Sequence, residues 1–212
     1  MTVLTGLVSW IATANTLATE PPAAGMVVWY MADAGVAQDP DGVTVWQDQS
    51  GNSNHADRVY GFPQLATATF PNGPHDVLRF DGNDALRLTD TSATQLTNFN
   101  IFIVANYDAG AVNERFFTNY SVGTLGTQYG YALGTNGNGS SFWWYYGSTE
   151  LSAGTYAAEK NYLTIYTLAN SIEKQLFVLD QDNGQTAYSY EIGSALIQYS
   201  SDPALPPHYS DI

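Results

Sequence analysis

The sequence predicts an all-β protein, a two-sheet antiparallel sandwich or jelly roll. Three observations carry that expectation. Short runs of β-branched and aromatic residues recur along the 212 residues, separated at fairly regular intervals by Gly, Asn, Ser and Asp clusters. No stretch keeps a convincing helical period over three turns. Only 12% of the chain is charged while 14% is aromatic, so its polar surface is mostly Thr, Ser, Asn and Gln, as on strands with neutral outer faces.

Length and charge narrow the field further. A chain of 212 residues suits one β domain, and 44% hydrophobic residues suffice for a core. The net charge is −14 and the first basic residue is Arg58. No basic stripe is available for phosphate, which argues against nucleic acid and anionic membranes as partners. There is no cysteine, which excludes disulfides, thiolate metal sites and cysteine catalysis.

In chain order, Val3–Ala12 is apolar and is followed by small residues, as in a signal peptide, but no Lys or Arg precedes it and polar residues interrupt it. It is too short and too polar for a membrane helix. Gly6-Leu-Val-Ser-Trp10 echoes Gly25-Met-Val-Val-Trp29, and Glu20-Pro21 echoes Asp39-Pro40. Residues 1–24 are therefore expected to be an extension carrying an extra strand around Leu4–Ile11, a docking arm or a leader, and residues 25–212 the domain. Met26–Met31 reads as a strand, Asp39-Pro-Asp-Gly42 as a tight turn and Val43–Trp46 as a strand. Gly61–Asp76 reads as a loop with one weak strand. Val77–Phe80 and Ala85–Leu88 flank an Asp-Gly turn. Asn100–Tyr107 is the most continuous apolar run and is expected at the centre of a sheet covered on both sides. Further strands are expected at Arg115–Tyr120, Tyr129–Leu133, Ser141–Tyr146, Asn161–Leu168, Lys174–Leu179 and Thr186–Ile192, with one helical turn within Ala153–Lys160. Asp180-Gln-Asp-Asn-Gly184 reads as a hairpin turn. Trp46 and Phe80 are expected in the interior shared by the two sheets.

Four segments resemble a known family in order and spacing: Met26-Val-Val-Trp-Tyr-Met-Ala-Asp-Ala-Gly35, Trp46-Gln-Asp-Gln-Ser-Gly-Asn-Ser-Asn-His-Ala56, Leu78-Arg-Phe-Asp-Gly-Asn-Asp84 and Phe99-Asn-Ile-Phe-Ile-Val-Ala105. They are similar to bacterial laminin-G-like domains of the concanavalin A-like lectin/glucanase superfamily. The likeness covers residues 25–107 and thins to a general strand pattern beyond. It implies a jelly roll that binds carbohydrate or mediates adhesion on an extracellular or cell surface, or that decorates a virion. The closing strand usual in such domains does not precede Ile212: either the sequence is a fragment, or another strand takes that place, for which the expected one is the N-terminal strand of this chain or of a neighbouring subunit.

The candidate sites are few. Glucanases of the superfamily carry a Glu-x-Asp-x-x-Glu run on one strand. The glutamates at 114, 150, 159, 173 and 191 are isolated, so no enzyme activity is expected. His55, His75 and His208 lie in separate polar loops and read as surface histidines. Asp180-x-Asp-x-Gly184, with Glu191 further on, faintly resembles a calcium loop, but its glycine is misplaced and its flanks are strands. Asp48, Asn52, Asp81 and Asp84, with Asn54, offer hard oxygen ligands for calcium if the two family motifs meet; a structural turn network is the simpler account. Trp143, Trp144, Tyr145 and Tyr146 in the run Phe142–Tyr146 are the candidate ligand platform. Alternate rings face opposite ways on a strand, so one set can stack on sugar while the other packs inside. Asn119-Tyr-Ser and Asn138-Gly-Ser fit the glycosylation triplet, which is common by chance. The expected function is a non-catalytic binding or adhesion module for carbohydrate. The alternative is a structural protein of a virion or surface layer, with a neighbouring subunit as partner. Calcium is the one cofactor considered.

Overall fold

The computed structural model describes residues 24–70, 72–106, 115–122, 128–135, 142–146, 149–155, 157–170 and 172–192, with no account of the side chains at 91–92, 120–122, 128–129, 142–146 and 149–150. Among these residues there are fourteen strands and one short 3-10 turn at Thr91–Thr94. The strands are β1 (Val36–Gln38), β2 (Val43–Trp46), β3 (Ala56–Tyr60), β4 (Gln64–Phe70), β5 (Gly73–Arg79), β6 (Ala85–Leu88), β7 (Phe99–Asn106), β8 (Arg115–Val122), β9 (Gln128–Thr135), β10 (Phe142–Tyr146), β11 (Thr149–Ala153), β12 (Asn161–Ala169), β13 (Glu173–Asp180) and β14 (Thr186–Ile192). The protein is all-β, as the sequence predicts. The sheets run β1-β2-β3-β6, β11-β10-β9-β8 and β14-β13-β12-β7, and β4 pairs with β5 alone. Every pairing is antiparallel.

The main interior has sandwich character. Strands β10 and β11 pack across from β13 and β14. Phe99, Tyr131, Leu133, Leu151, Tyr162, Tyr166, Leu168, Leu176 and Val178 belong to one buried cluster between the β11-β10-β9-β8 and β14-β13-β12-β7 sheets. Alternation explains it: Tyr162, Thr164, Tyr166 and Leu168 of β12 and Lys174, Leu176 and Val178 of β13 all point inward. Burying each large apolar side chain stabilises the fold by about 1.5–3 kcal/mol. The buried Lys174 ammonium lies 2.8 Å from Glu191 Oε2, directly across the β13–β14 pair; it is an ion pair without the geometry of a directed hydrogen bond.

Several expectations need correction. Trp46 and Phe80 are half-buried and lie outside that cluster. Trp46 instead stacks on Tyr30 at 5.1 Å and donates its ring N–H to the Met31 carbonyl at 2.9 Å. Residues 26–30 run without a ladder, because their backbone groups bond to side chains of the 48–54 loop. Gly61–Asp76 holds more than a loop with one weak strand: it contains β4 and the start of β5, a ribbon of small and β-branched residues whose alternation is only weakly apolar. Strand β7 stands at the edge of its described sheet, not at its centre. Residues 158–159 form a turn with no helix around it, and β1, β3 and β11 carried no strand expectation. The expected turns at 39–42 and 180–184 are present: the Asp39 N–H donates to the Gly42 carbonyl (2.9 Å) and the Gly184 N–H to the Asp180 carbonyl (2.8 Å). The proposed strand at Leu4–Ile11, the first copy of the repeat, the residues after Ile192, His208 among them, and Asn138 lie outside the described residues.

Candidate functional site

The first candidate centre is built on Asp48. Strand β2 ends at Trp46, and the Asp-x-Ser-Gly-Asn run folds into a loop under residues 26–30. Asp48 Oδ1 accepts the N–H groups of Trp29 (2.9 Å) and Ser50 (2.9 Å); Oδ2 accepts the Ser50 hydroxyl (2.7 Å) and the Asn54 N–H (3.0 Å). Burial pushes the Asp48 carboxyl upward, but these four donors outweigh it and hold the group below its ordinary range. Asn52 and Asn54 donate their amides to the Met26 and Val27 carbonyls. The Asp48 N–H donates to His55 Nδ1 at 3.1 Å. The Tyr30 hydroxyl donates to the Asn54 carbonyl at 2.5 Å, and burial raises its pKa.

The second motif builds a separate network at the other end of β3. Asp84 Oδ1 accepts the Phe62 N–H (2.5 Å), Oδ2 accepts the Asp81 N–H (3.0 Å), and Asp81 Oδ1 accepts the Asn83 N–H (3.0 Å). Gly61 adopts a φ of 57°, and a Cβ there would collide with Asp84 and the Asn83 backbone. Asp48 is tied to Asn54, just before β3, and Asp84 to Phe62, just after it. The strand between them extends over about 13 Å at ~3.3 Å per residue. The Asp48 and Asp84 loops therefore do not meet, and Asp48, Asn52, Asp81 and Asp84 are not gathered into one site. Asp48 accepts two hydrogen bonds on each oxygen, so binding calcium there would break contacts that hold the loop. Among the described residues no group of three or more His, Cys, Asp or Glu is arranged to hold a metal ion.

The remaining expectations divide as follows. The 180–184 turn is tied by its own side chains: the Asp182 N–H donates to Asp180 Oδ1 (2.9 Å), and Asp182 in turn accepts from the Asn161 backbone, which lowers its pKa. His75 lies 3.0 Å from Asp33 at the surface. Asn119 is half-buried and donates to Thr94 Oγ1 at 2.8 Å. The backbone register sets Trp144 opposite Leu133 and Leu151, and Trp143 opposite Gly134 and Ser152. The side chains of Trp143, Trp144, Tyr145 and Tyr146 lie outside those described.

A surface the sequence reading did not single out stands on the outer side of β14-β13-β12-β7. Phe102 (56% exposed), Val104 (55%), Tyr188 (55%), Tyr190 (46%) and Ile192 (61%) are all open there. Register places them in rows across the sheet. Phe102, Ile165, Phe177 and Tyr188 form one; Asn100, Thr167, Gln175 and Tyr190 form the next. The Thr167 hydroxyl donates to Asn100 Oδ1 at 2.7 Å within the second row. Glu173 is the one formal charge among the described outward positions of these strands. Two sequence signals pointed here. Strands β7 and β12 are apolar on both parities, and β14 alternates Tyr188, Tyr190 and Ile192 against Ala187, Ser189 and Glu191. Pairing Glu191 with Lys174 on the inside turns the large set of β14 outward, because a one-residue slip would exchange the two faces.

Among the described residues no helix is long and apolar enough to cross a membrane. No protein-family model, curated protein or solved structure matches the chain.

Proposed function

We propose that the protein is a non-catalytic assembly module on an extracellular or virion surface, built on a laminin-G-like jelly roll, and that it works through the outer face of the β14-β13-β12-β7 sheet. The order and spacing of the four family-like segments support the jelly roll and its setting outside the cell. The face itself supports the role. Contiguous exposed apolar surface marks a protein contact more often than chance, and here Phe102, Val104, Tyr188 and Ile192 lie on one side of one sheet. That observation carries the reading.

Carbohydrate binding is the second reading, favoured by the row Asn100–Thr167–Gln175–Tyr190. It sets an open aromatic ring beside amide and hydroxyl groups, the pairing that sugar stacking and hydrogen bonding require. One pair of measurements decides between them. Size analysis of the purified protein and of Val104→Glu should show an assembly that the added carboxylate disperses, with no glycan retained on an array. A single-chain species that binds a glycan and loses it on Tyr190→Ala establishes the second reading instead.

A further inference from the structure

We infer that the occupant of this sheet face is a second copy of the same chain, docked face to face about a twofold axis parallel to the strands. The inference rests on the assembly reading above and adds the partner and the geometry.

Area comes first. Four strands of seven to nine residues make a face of about 19 by 26 Å at ~4.8 Å per strand and ~3.3 Å per residue. That is on the order of 500 Å² per copy before side-chain relief, which brings a pair of copies to the ~1,000 Å² total that a specific interface needs. Charge comes second. Copies of a chain with net charge −14 repel one another. They can approach closely where charge is absent, and this face carries Glu173 alone among its described outward residues. It offers no charge pattern that would select a basic or an acidic partner of another kind.

The third argument is self-complementarity. A twofold axis along the strands reverses the strand order, so β7 of one copy lies over β14 of the other. In the apolar row, Phe102 then meets Tyr188 of the second copy, and Ile165 meets Phe177. In the polar row, Thr167 meets Gln175 and Asn100 meets Tyr190. Aromatic rings meet aromatic or aliphatic groups, and hydroxyls meet amides. Aligned sheets stacked ~10 Å apart, with strand directions within about 30° of each other, can hold this arrangement, and twofold pairs are the commonest closed assembly.

The chain has no cysteine, so engineered thiols report without background. The test uses the full-length protein. Sedimentation should give twice the chain mass at tens of micromolar. Val104→Glu and Ile192→Glu, at open positions where melting checks the fold, should each weaken the pair at least ~tenfold. Mixing Phe102→Cys protein with Tyr188→Cys protein and adding a short bis-maleimide, which spans the ~10 Å between stacked sheets that a direct disulfide cannot, should give more cross-linked pairs than either variant alone. A pair that Val104→Glu leaves intact, or thiols that cross-link without preference for the mixture, overturns the inference. Larger assemblies that Val104→Glu disperses overturn the twofold pair but leave the assembly reading standing. A single chain that binds glycan through Tyr190 overturns both. A single chain whose Tyr188 and Tyr190 resist hydroxyl-radical labelling shows a segment of the same chain on the face, and also overturns the second-copy assignment.

Discussion

Residues 26–88 and residues 99–192 are both built of antiparallel strands, yet they are held by different forces. In the later region the buried cluster is large and apolar: Tyr131, Leu133, Tyr166, Leu168 and Leu176 are almost wholly removed from water. In the earlier region the buried apolar side chains are small, Val43, Ala56, Pro63 and Ala85, and Asp48, Asn54 and Asp84 are buried in the same region. There the chain is held by side chains accepting backbone N–H groups. The contrast teaches that a conspicuous motif need not mark the core. The Asp-x-Ser-Gly-Asn and Asp-Gly-Asn-Asp runs stand out because local hydrogen bonding demands particular residues. A sandwich core accepts any large apolar residue of the right parity.

The sharpest way to break the contrast is to remove bulk from the core. Leu176→Ala should cost about 2–5 kcal/mol, read as a drop in the denaturant midpoint, because the cavity cannot collapse between two sheets. In the earlier region the largest loss should come from single polar or backbone changes instead. Asp48→Ala leaves the Trp29 and Asn54 N–H groups without their acceptor and should cost about 1–3 kcal/mol. Gly61→Ala should cost about as much, since its positive φ and its closeness to Asp84 both resist a side chain.

Acid sharpens the same comparison. The Arg58 guanidinium, with the Asp41 and Gly42 N–H groups, lowers the Asp39 pKa to about 2 from 3.8. Asp33, held by His75 and the Asp76 N–H, and Asp48 are lowered as well. A carboxyl whose folded pKa is depressed adds stability that is complete above its unfolded pKa and is lost as pH falls through the folded value. For Asp39 that window runs from about 4 down to about 2. Hydrogen exchange should therefore show β2 and β3 opening before β12 and β13 as pH drops through this range. Simultaneous opening would mean that the carboxylates do not set the acid limit. The smallest expected effect is that of calcium. Adding calcium, or a chelator, should move the melting temperature less than Asp48→Ala does, because the Asp48 oxygens already accept four hydrogen bonds.

Much of the fold was legible in the residues. Strands β2, β6 and β14 fall where the alternation places them, and β7 does so within one residue. The turns at 39–42 and 180–184 follow from Asp, Asn and Gly. Of the ribbon β4–β5 only one weak strand and the stretch from Val77 were legible, because Ala66, Thr67, Ala68 and Thr69 lack a strong apolar face. The candidate site was less legible. The Asp48 and Asp84 loops were visible, but their separation along β3 was not, since spacing in sequence does not report distance across a strand.

The sequence by itself determined the class of the protein. Alternation at a period of two, turn residues between short runs and the absence of helical periodicity leave the backbone one way to satisfy its hydrogen bonds, which is strand pairing. It also determined the acidic, cysteine-free surface. Tertiary structure alone decided which parity of each strand faces inward and which sheets enclose the main core. Strands β7 and β12 are apolar on both sides, so local pattern cannot choose between their faces. The choice was made by register against their neighbours, with Lys174 facing Glu191 across β13 and β14, and it left Phe102, Val104, Tyr188 and Ile192 on the outside.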